Sequence, residues 1–394
     1  MAARVVIAGV GMTPFVKPGQ GAPYDALGEE AARMALADAG IGYGDVQQAY
    51  AGWVYGDSTA GQKALYRLGM TGIPIVNVNN NCSTGSTALF LARQAVEAGA
   101  ADCVLALGFE QMAPGALQTV FADRPAPLAD FVAAAEEKYE GADRVPMAVK
   151  LFAGAGYEYQ QRYGAATETF ARVRAKASRH AVHNERAIFR RPLSVQEVMD
   201  SPRLFLNLGR LDCCPPTCGA AAALVVSDAF AARRGLRRDV AVLGQAMVTD
   251  LPTTFGGGDM MRVVGADLTR RAAAAVYEQA GIGPDEVDTV ELHDCFTTNE
   301  VITYEALGLC PEGGAEGFVR DGGNSYGGRV VTNPSGGLLS KGHPLGATGL
   351  AQCAELVWQL RGACGPRQVE GARTALQHNI GLGGAVVVTL YGRA

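Results

Sequence analysis

The stretch NNNCSTGSTALF, from Asn79 to Phe90, follows an apolar run typical of a strand, Ile73–Val78. Its second half has the small and apolar residues of a helix start. Cys82 therefore lies at a predicted strand-to-helix junction, facing the positive end of the helix dipole and unpaired backbone N–H groups. This position predicts a lowered thiol pKa, and the thiolate is the reactive form. A packed, inert cysteine is the alternative interpretation.

A second stretch, HPLGATGL, begins at His343 and aligns with the first at an offset of 261 residues. Three positions are identical at this offset: Gly85 and Gly346, Thr87 and Thr348, Leu89 and Leu350. Cys82 and His343 thus fall at equivalent points, each at a strand-to-helix junction. A histidine there could take the proton of Cys82 and later return it.

A longer repeat supports a duplicated chain. Residues Ala31–Val46 and Ala272–Val287 match at 7 of 16 positions, including Ala-Gly-Ile-Gly, and each predicts an apolar-faced helix stopped by glycine before a strand. Chance similarity in an alanine-rich chain is the alternative. Strands that alternate with helices predict an α/β architecture with buried sheets.

The repeats divide the chain into two halves and an insertion. Residues 1–110 and 209–250 are predicted to form the first half, and residues 251–394 the second. Residues 111–208 diverge from both and hold two helix-like segments, Met147–Tyr163 and Thr167–Asn184. We expect them to form an inserted loop domain over the active site.

Composition excludes several classes of protein. The chain has 394 residues and a net charge of -5, with no long basic run, so nucleic acid is not the expected partner. No run reaches the about 18 apolar residues that span a bilayer. The nine cysteines are scattered and odd in number, which favours a reducing compartment, and we expect a cytoplasmic protein. Cys214 and Cys218 lack a matching second pair, so no metal is expected.

Two further stretches carry candidate site residues. HDCFTTNE, from His293 to Glu300, follows the strand-like TVEL and places a histidine, a carboxylate and a second cysteine, Cys295, at a strand end. Strand ends are where α/β folds build sites. We interpret His293 and Cys295 as functional and Phe296 as structural. In the glycine turn near the C-terminus, Gly381 has a backbone N–H that could face a ligand.

Together these motifs resemble the thiolase superfamily over nearly the whole chain. NVNNNCSTGS, HDCF and QHNIGLGGA are similar in particular to the sterol-carrier-protein-type thiolases. The resemblance implies a five-layer αβαβα sandwich of two duplicated βαβ halves. It also implies thiolytic cleavage of 3-oxoacyl-CoA by CoA, or the reverse Claisen condensation. Coenzyme A would then be a substrate, with no permanently bound cofactor.

The resemblance also implies a role for each site residue. Cys82 is the acyl carrier, and His343 activates it and helps to bind a thioester oxygen. His293 stands where most thiolases have the asparagine of an oxyanion hole. The second catalytic cysteine of most thiolases is replaced here by Asn379, and Cys295 takes over its acid–base role. Gly381 N–H and Cys82 N–H form the second oxyanion hole.

Three further hypotheses about the activity stay open. Some members of the superfamily are retro-aldolases, C–C lyases of steroid or lipid CoA thioesters, that work with a small partner subunit. The chain could also be a decarboxylating condensing enzyme or a non-catalytic lipid-CoA carrier, although Cys82, His343 and Cys295 favour thiolase chemistry. The resemblance further implies a homodimer, and we expect the carrier domain of some relatives to be absent.

Overall fold

The computed structural model describes residues 3–114 and 121–393. Residues 115–120 of the predicted insertion, and residues 1, 2 and 394 of the predicted halves, lie outside this description. The strands in the described part are β1 Val5–Met12, β2 Gln48–Gly52, β3 Ile75–Val78, β4 Cys103–Glu110, β5 Arg203–Phe205, β6 Leu208–Gly209, β7 Gly219–Ser227, β8 Val240–Val248, β9 Thr289–Glu291, β10 Val331–Thr332, β11 Thr374–Gly381 and β12 Ala385–Arg393.

The α-helices alternate with these strands along most of the chain. They are α1 Tyr24–Ala39, α2 Ala60–Leu65, α3 Thr84–Glu97, α4 Ala129–Glu136, α5 Met147–Tyr163, α6 Thr167–His180, α7 Val195–Met199, α8 Asp228–Arg234, α9 Met260–Val263, α10 Ala266–Ala280, α11 Thr297–Ala306, α12 Ala315–Arg320, α13 Gly337–Ser340 and α14 Thr348–Leu360. The two helices predicted in the insertion correspond to α5 and α6.

The main sheet repeats one strand order twice. One group runs β3-β2-β4-β7-β1 and the other β10-β9-β11-β12-β8. In each group the first three strands are parallel and the last two pairings are antiparallel. The groups meet where Val6 of β1 pairs with Ala241 of β8. The predicted duplication is therefore confirmed at the level of topology.

The helices form three layers around the two strand groups. Helix α1 packs on β1 and β7, and α10 packs on β8 and β12. Between the groups α3 packs on β2 and β4, α14 packs on β11 and β7, and the two helices contact each other. The result is the predicted αβαβα sandwich. Its strands β4 and β7 are buried throughout, as their continuous apolar sequences require.

The outer helices end as the sequence repeat predicts. Helix α1 is capped by Gly40 at φ 77°, and α10 by Gly281 at φ 68°. Both values lie in the left-handed region, which glycine adopts without a steric penalty. The shared Ala-Gly-Ile-Gly segment is therefore a helix stop in each half.

The insertion packs closely on the second half. Buried residues of α5 and α6 share one hydrophobic core with α11 and β9, and a two-stranded sheet of β5 and β6 follows α7. Strand β8 lies within the range predicted for the first half, yet it pairs with β12 along its length. The domain boundaries themselves stay a prediction. Within the described residues, no helix is both long and apolar enough to cross a membrane.

Candidate active site

The turn before Cys82 is held by its own side chains. Asn81 adopts a left-handed conformation, with φ 52°. Its backbone N–H donates to Asn79 Oδ1 at 3.0 Å, and Asn80 N–H donates to Thr84 Oγ1 at 2.9 Å. Asn81 Nδ2 also reaches the carbonyl of Leu382 at 3.0 Å. The run of three asparagines is thus explained, because short amides tolerate this conformation and satisfy the polar backbone of a tight turn.

Close packing of two helix starts brings the equivalent loops together. Helix α3 begins two residues after Cys82, and α14 begins five residues after His343. A Cβ added at Gly85 would lie 2.8 Å from the Gly346 carbonyl oxygen, and one at Gly349 would lie 2.2 Å from the Ser86 backbone nitrogen. Only glycine permits these approaches.

Thr348 fixes the protonation pattern of the His343 ring. Its Oγ1 donates to the Pro344 carbonyl at 3.0 Å and lies 2.7 Å from Nδ1 of His343. Since the single hydroxyl proton is directed to the carbonyl, Thr348 accepts from Nδ1–H. The neutral ring then carries its lone pair on Nε2, which is buried and has no hydrogen-bond partner among the described residues. His343 is therefore set up to accept a proton at Nε2.

Cys82 and two histidines converge. The sulfur of Cys82 and one ring nitrogen each of His293 and His343 all lie within 4.8 Å of one another. The two rings are nearly perpendicular, at 85°, with centroids 4.9 Å apart. A thiol and two imidazoles could also bind a transition metal. The structure thus brings these three side chains together, while their roles stay a proposal.

Burial keeps this group neutral. Burial, with a smaller contribution from the Glu110 carboxylate, raises the pKa of Cys82 to about 12. Burial also lowers the pKa of His343 to about 3, and lowers that of His293 well below its ordinary value. The sequence-based expectation of a lowered Cys82 pKa is therefore wrong for the resting site. The helix start favours the thiolate, but removal of water from the sulfur outweighs it.

The HDCF segment combines a buried thiol with structural neighbours. Asp294 accepts from the backbone N–H groups of Leu338 and Leu339, at 2.7 and 3.3 Å, and so holds α13. Phe296 stacks on Phe152 with ring centroids 4.7 Å apart, as its structural interpretation requires. Between them, Cys295 is buried.

Cys295 is also a neutral thiol at rest. Burial raises its pKa well above the ordinary value, and the neighbouring thiols of Cys214 and Cys82 raise it further. The backbone N–H of Cys214 donates to the Cys295 carbonyl at 2.9 Å. Cys214 is therefore a third thiol beside this segment. In the sequence alone, Cys214 is recognisable only as half of an incomplete zinc pair.

Gly381 ends β11 against the Cys82 turn. A Cβ at this position would lie 2.2 Å from the Asn80 carbonyl oxygen and 3.0 Å from the Ser83 backbone nitrogen. The three-residue turn to β12 that follows includes Gly383 and Gly384, at φ 92° and 86°, which confirms the predicted hairpin. The glycine therefore lies where its backbone could take part in an oxyanion hole.

Glu110 belongs to the site but was missed in the sequence. It ends β4, is fully buried, and accepts from the backbone N–H groups of Val54 at 3.1 Å, Tyr55 at 3.0 Å and Gly346 at 3.0 Å. Burial raises its pKa to about 7. A glutamate that closes an otherwise apolar strand, CVLALGFE, is the signal that could have identified it.

Known proteins resemble this chain over nearly its whole length. The family model for the thiolase N-terminal domain matches residues 5–200, and the thiolase C-terminal domain-like model matches residues 258–392. Human sterol carrier protein 2 is 55% identical over 392 residues, covering 98% of this chain and 72% of that protein. The benzoylsuccinyl-CoA thiolase subunit BbsB of Thauera aromatica is 37% identical over 387 residues, covering 96% and 95%.

The fold comparison adds a relative with a different activity in its name. The solved structure of an Ltp2-ChsH2(DUF35) aldolase superimposes with a TM-score of 0.83 at 25% identity, covering 100% of this chain and 98% of that one. The family models, the full-length similarity and the sandwich of duplicated halves lead to one conclusion. The chain belongs to the thiolase family, among its members that resemble sterol carrier protein 2.

Proposed function

We propose that this protein cleaves 3-oxoacyl-CoA thioesters with CoA, through an acyl group carried on Cys82, or runs the reverse condensation. The observation that carries the proposal is the pairing of Cys82 with His343. One ring nitrogen of His343 lies within 4.8 Å of the sulfur, and its Nε2 is buried, unprotonated and unpartnered among the described residues. Such a pair is a nucleophile beside its general base.

The first half of the reaction breaks the bond between C2 and C3 of the substrate. His343 Nε2 takes the Cys82 proton as the sulfur attacks the ketone carbon C3. The oxyanion formed there is bound by the N–H groups of Cys82 and Gly381. The bond then breaks, the acyl group stays on Cys82, and acetyl-CoA or propionyl-CoA leaves as an enolate. His293 and protonated His343 face the enolate oxygen, and the Cys295 thiol protonates C2.

The second half of the reaction releases the acyl group. A new CoA thiol gives its proton to the Cys295 thiolate, and its sulfur attacks the acyl carbon. Cys82 departs as a thiolate and recovers its proton from His343 Nε2. All protons are then back in their starting places. Because every step is reversible at one site, the same residues serve condensation.

Neutral resting groups suit this scheme. A thiolate held permanently in a buried site would require compensation by a cation. Here the thiol proton leaves Cys82 only while the sulfur forms its bond to carbon, so no free thiolate accumulates. The raised pKa of Cys82 and the lowered pKa of His343 are those of a neutral resting pair, so the scheme requires proton transfer to accompany the attack.

The proposal also covers the substrate class, the assembly and the cellular location of the enzyme. The name of the benzoylsuccinyl-CoA relative supports an acyl-CoA substrate. The names of that subunit and of the aldolase complex support assembly with a partner protein. We propose a homodimer joined along β3, the edge strand of its group, where Val76 is exposed. Nine free cysteines favour a cytoplasmic location.

The test combines turnover with mapping of the adduct. Purified protein is incubated with 3-oxoacyl-CoA of several chain lengths, with and without CoA. The masses of the products and of the peptides from the digested protein are then measured. We expect CoA-dependent cleavage and an acyl adduct on Cys82 when CoA is omitted. An adduct on a different cysteine contradicts the assignment. In a parallel incubation with a 3-hydroxyacyl-CoA, CoA-independent cleavage with no adduct would instead establish the retro-aldolase alternative.

A further inference from the structure

Asn379, which occupies the place of a catalytic cysteine in most thiolases, makes direct contact with the site. Its Nδ2 lies 3.1 Å from the Cys82 carbonyl oxygen and 2.8 Å from Nδ1 of His293. We infer that Asn379 is a positioning residue that holds the neutral His293 ring in its Nε2–H form, so that the ring offers a hydrogen-bond donor to the substrate's thioester oxygen. The inference deepens the proposed function and rests on it for the identity of that oxygen.

The orientation of the Asn379 amide follows from its partners. The Cys82 carbonyl can only accept a hydrogen bond, so the atom that faces it must be the NH2 nitrogen. On the other side of the amide, the Ser86 hydroxyl lies 2.8 Å from Oδ1 and donates to it. Both ends of the side chain are therefore assigned, and the nitrogen faces His293.

A second amide directs the Ser86 proton. Gln377 Nε2 donates to the Gly349 carbonyl at 2.7 Å and to Ser86 Oγ at 2.8 Å. Tyr391 donates to Gln377 Oε1 at 2.5 Å, which holds that amide from its other end. Since Ser86 Oγ accepts from Gln377, its own proton is free for Asn379. This chain of hydrogen bonds ends at the backbone carbonyls of Cys82 and Gly349, which can only accept.

The consequence for His293 is a defined tautomer. An NH2 group donates to Nδ1, so Nδ1 must carry the lone pair. A neutral imidazole has one proton, which then resides on Nε2. Burial, with His343 and His378 nearby, lowers the pKa of His293 and keeps the ring neutral. His343 has the opposite arrangement, because Thr348 accepts from its Nδ1–H.

The two tautomers divide the chemistry between the rings. His343 presents an acceptor for the thiol proton, and His293 presents a donor where negative charge develops on the thioester oxygen. A cysteine at position 379 could not hold His293 in this way, because one thiol is too weak a donor to serve both the carbonyl and the ring. Asn379 thus gives His293 the donor role that asparagine side chains supply in other oxyanion holes.

The experiment reads the tautomer in the resting protein. The five histidines are labelled with the heavy nitrogen isotope, and ring nitrogen chemical shifts are recorded for the full chain, with His293→Gln used to assign one ring. We expect His293 with a bare Nδ1 and a protonated Nε2. A protonated Nδ1 in the wild-type ring overturns the inference without any further variant.

Two variants show whether Asn379 sets the tautomer of His293 or only supports the structure around it. Asn379→Asp replaces the donor by an acceptor and should protonate His293 Nδ1. Asn299→Asp is the matched control, because the Asn299 amide donates to the His293 backbone carbonyl and not to its ring, so the wild-type tautomer should persist. The inference is contradicted if His293 Nδ1 stays unprotonated in folded Asn379→Asp. It is also contradicted if Nδ1 becomes protonated in both variants.

Turnover gives the functional consequence. Asn379→Leu removes the donor to Nδ1 without adding charge, and loss of one oxyanion donor lowers kcat by about 10²–10³-fold. Wild-type turnover in this variant contradicts the positioning role. If the wild-type protein shows no thiolysis, the proposed function has failed, while the nitrogen shifts still decide the tautomer.

Discussion

Thr348 Oγ1 lies 2.7 Å from Nδ1 of His343 and gives its own proton to the Pro344 carbonyl. This relationship leaves Nε2 as the proton acceptor. Thr348→Val keeps the shape of the side chain but removes the acceptor for Nδ1–H. We expect kcat to fall by about 10²-fold, at the low end of general acid–base contributions, because the other tautomer presents a donor to Cys82.

Thr348→Ser is the control for this change. It retains the hydroxyl and should keep activity within a few-fold of wild type. The measurement is thiolysis at saturating substrate, with the acyl adduct on Cys82 followed by mass. Equal activity in the valine and wild-type proteins would show that Thr348 does not orient the ring.

Local motifs made much of the fold and the site predictable. The glycine stops of α1 and α10, and the junctions at Cys82 and His343, are set by short stretches whose spacing repeats. Such features depend on neighbours in sequence, so residue types alone reveal them. Cys295 was chosen as a candidate in the same way, from its position after a strand, and its role stays a prediction.

Long-range contacts between side chains that the repeat does not relate were not predictable. Asn379 meets His293 across 86 residues, and Glu110 meets Gly346 across 236. The raised pKa of Cys82 depends on burial by several elements, whereas the sequence showed only the nearby helix start. The predicted sign of that pKa shift was wrong for this reason.

Alkylation of Cys82 should be slow in the free protein at neutral pH. With its pKa at about 12, the thiolate fraction rises tenfold per pH unit throughout the accessible range. The rate with iodoacetamide should therefore keep rising past pH ~8.5, where a free thiol levels off. Peptide mapping after timed exposure from about pH 7 to about pH 10 checks this. A plateau below pH ~8.5 would show that the resting thiol is activated instead.

Cys295→Ala should separate the steps of the reaction. Transfer of an acyl group from a simple acyl-CoA to Cys82 needs only Cys82 and His343, so the adduct should still form. Exchange of the Cα proton of acetyl-CoA should fall by roughly 10²–10⁴-fold, the contribution of a general acid–base.

The control for this prediction is Cys214→Ala, which removes the neighbouring thiol. It should exchange the proton at the wild-type rate, as monitored in deuterated water by mass. If Cys295→Ala also exchanges normally, the proton is handled elsewhere, and His293 or His343 becomes the candidate.

His180 should make stability depend on pH. It is buried between the Asn333 carbonyl, 3.0 Å from Nδ1, and Ser325 Oγ, 2.8 Å from Nε2, and burial lowers its pKa to about 3. Between the ordinary value of 6.5 and about 3, the unfolded chain binds a proton that the folded ring does not. Stability from this residue is therefore complete above pH 6.5 and falls by about 1.4 kcal/mol per pH unit below it.

The measurement compares thermal unfolding of wild type and His180→Gln. Glutamine is uncharged at all these pH values, so it lacks this proton uptake. The variant should be less stable at pH 7, and its deficit should shrink as the pH falls toward about 4. A deficit that stays constant over this range would show that His180 does not resist protonation in the folded state.

Glu110→Gln should lower the pKa of Cys82. The Glu110 carboxylate contributes to raising that pKa, after burial, and its own pKa is about 7. Above pH 7 the wild-type group is charged and disfavours the thiolate, whereas glutamine stays neutral. Cys82 in the variant should therefore be alkylated faster than in wild type above pH 7, and the ratio of rates should return toward one below it.

The same substitution should cost stability, which supplies an independent check. Glutamine offers one accepting oxygen where the carboxylate has two, so the Tyr55 N–H or the pair from Val54 and Gly346 loses its partner. An unsatisfied buried donor costs about 1–3 kcal/mol. Alkylation is compared at temperatures where both proteins are folded, and Glu355→Gln, a buried carboxyl bound to Arg367, serves as the control. A rate ratio independent of pH, or one shared by the control, would show that the charge of Glu110 does not act on Cys82.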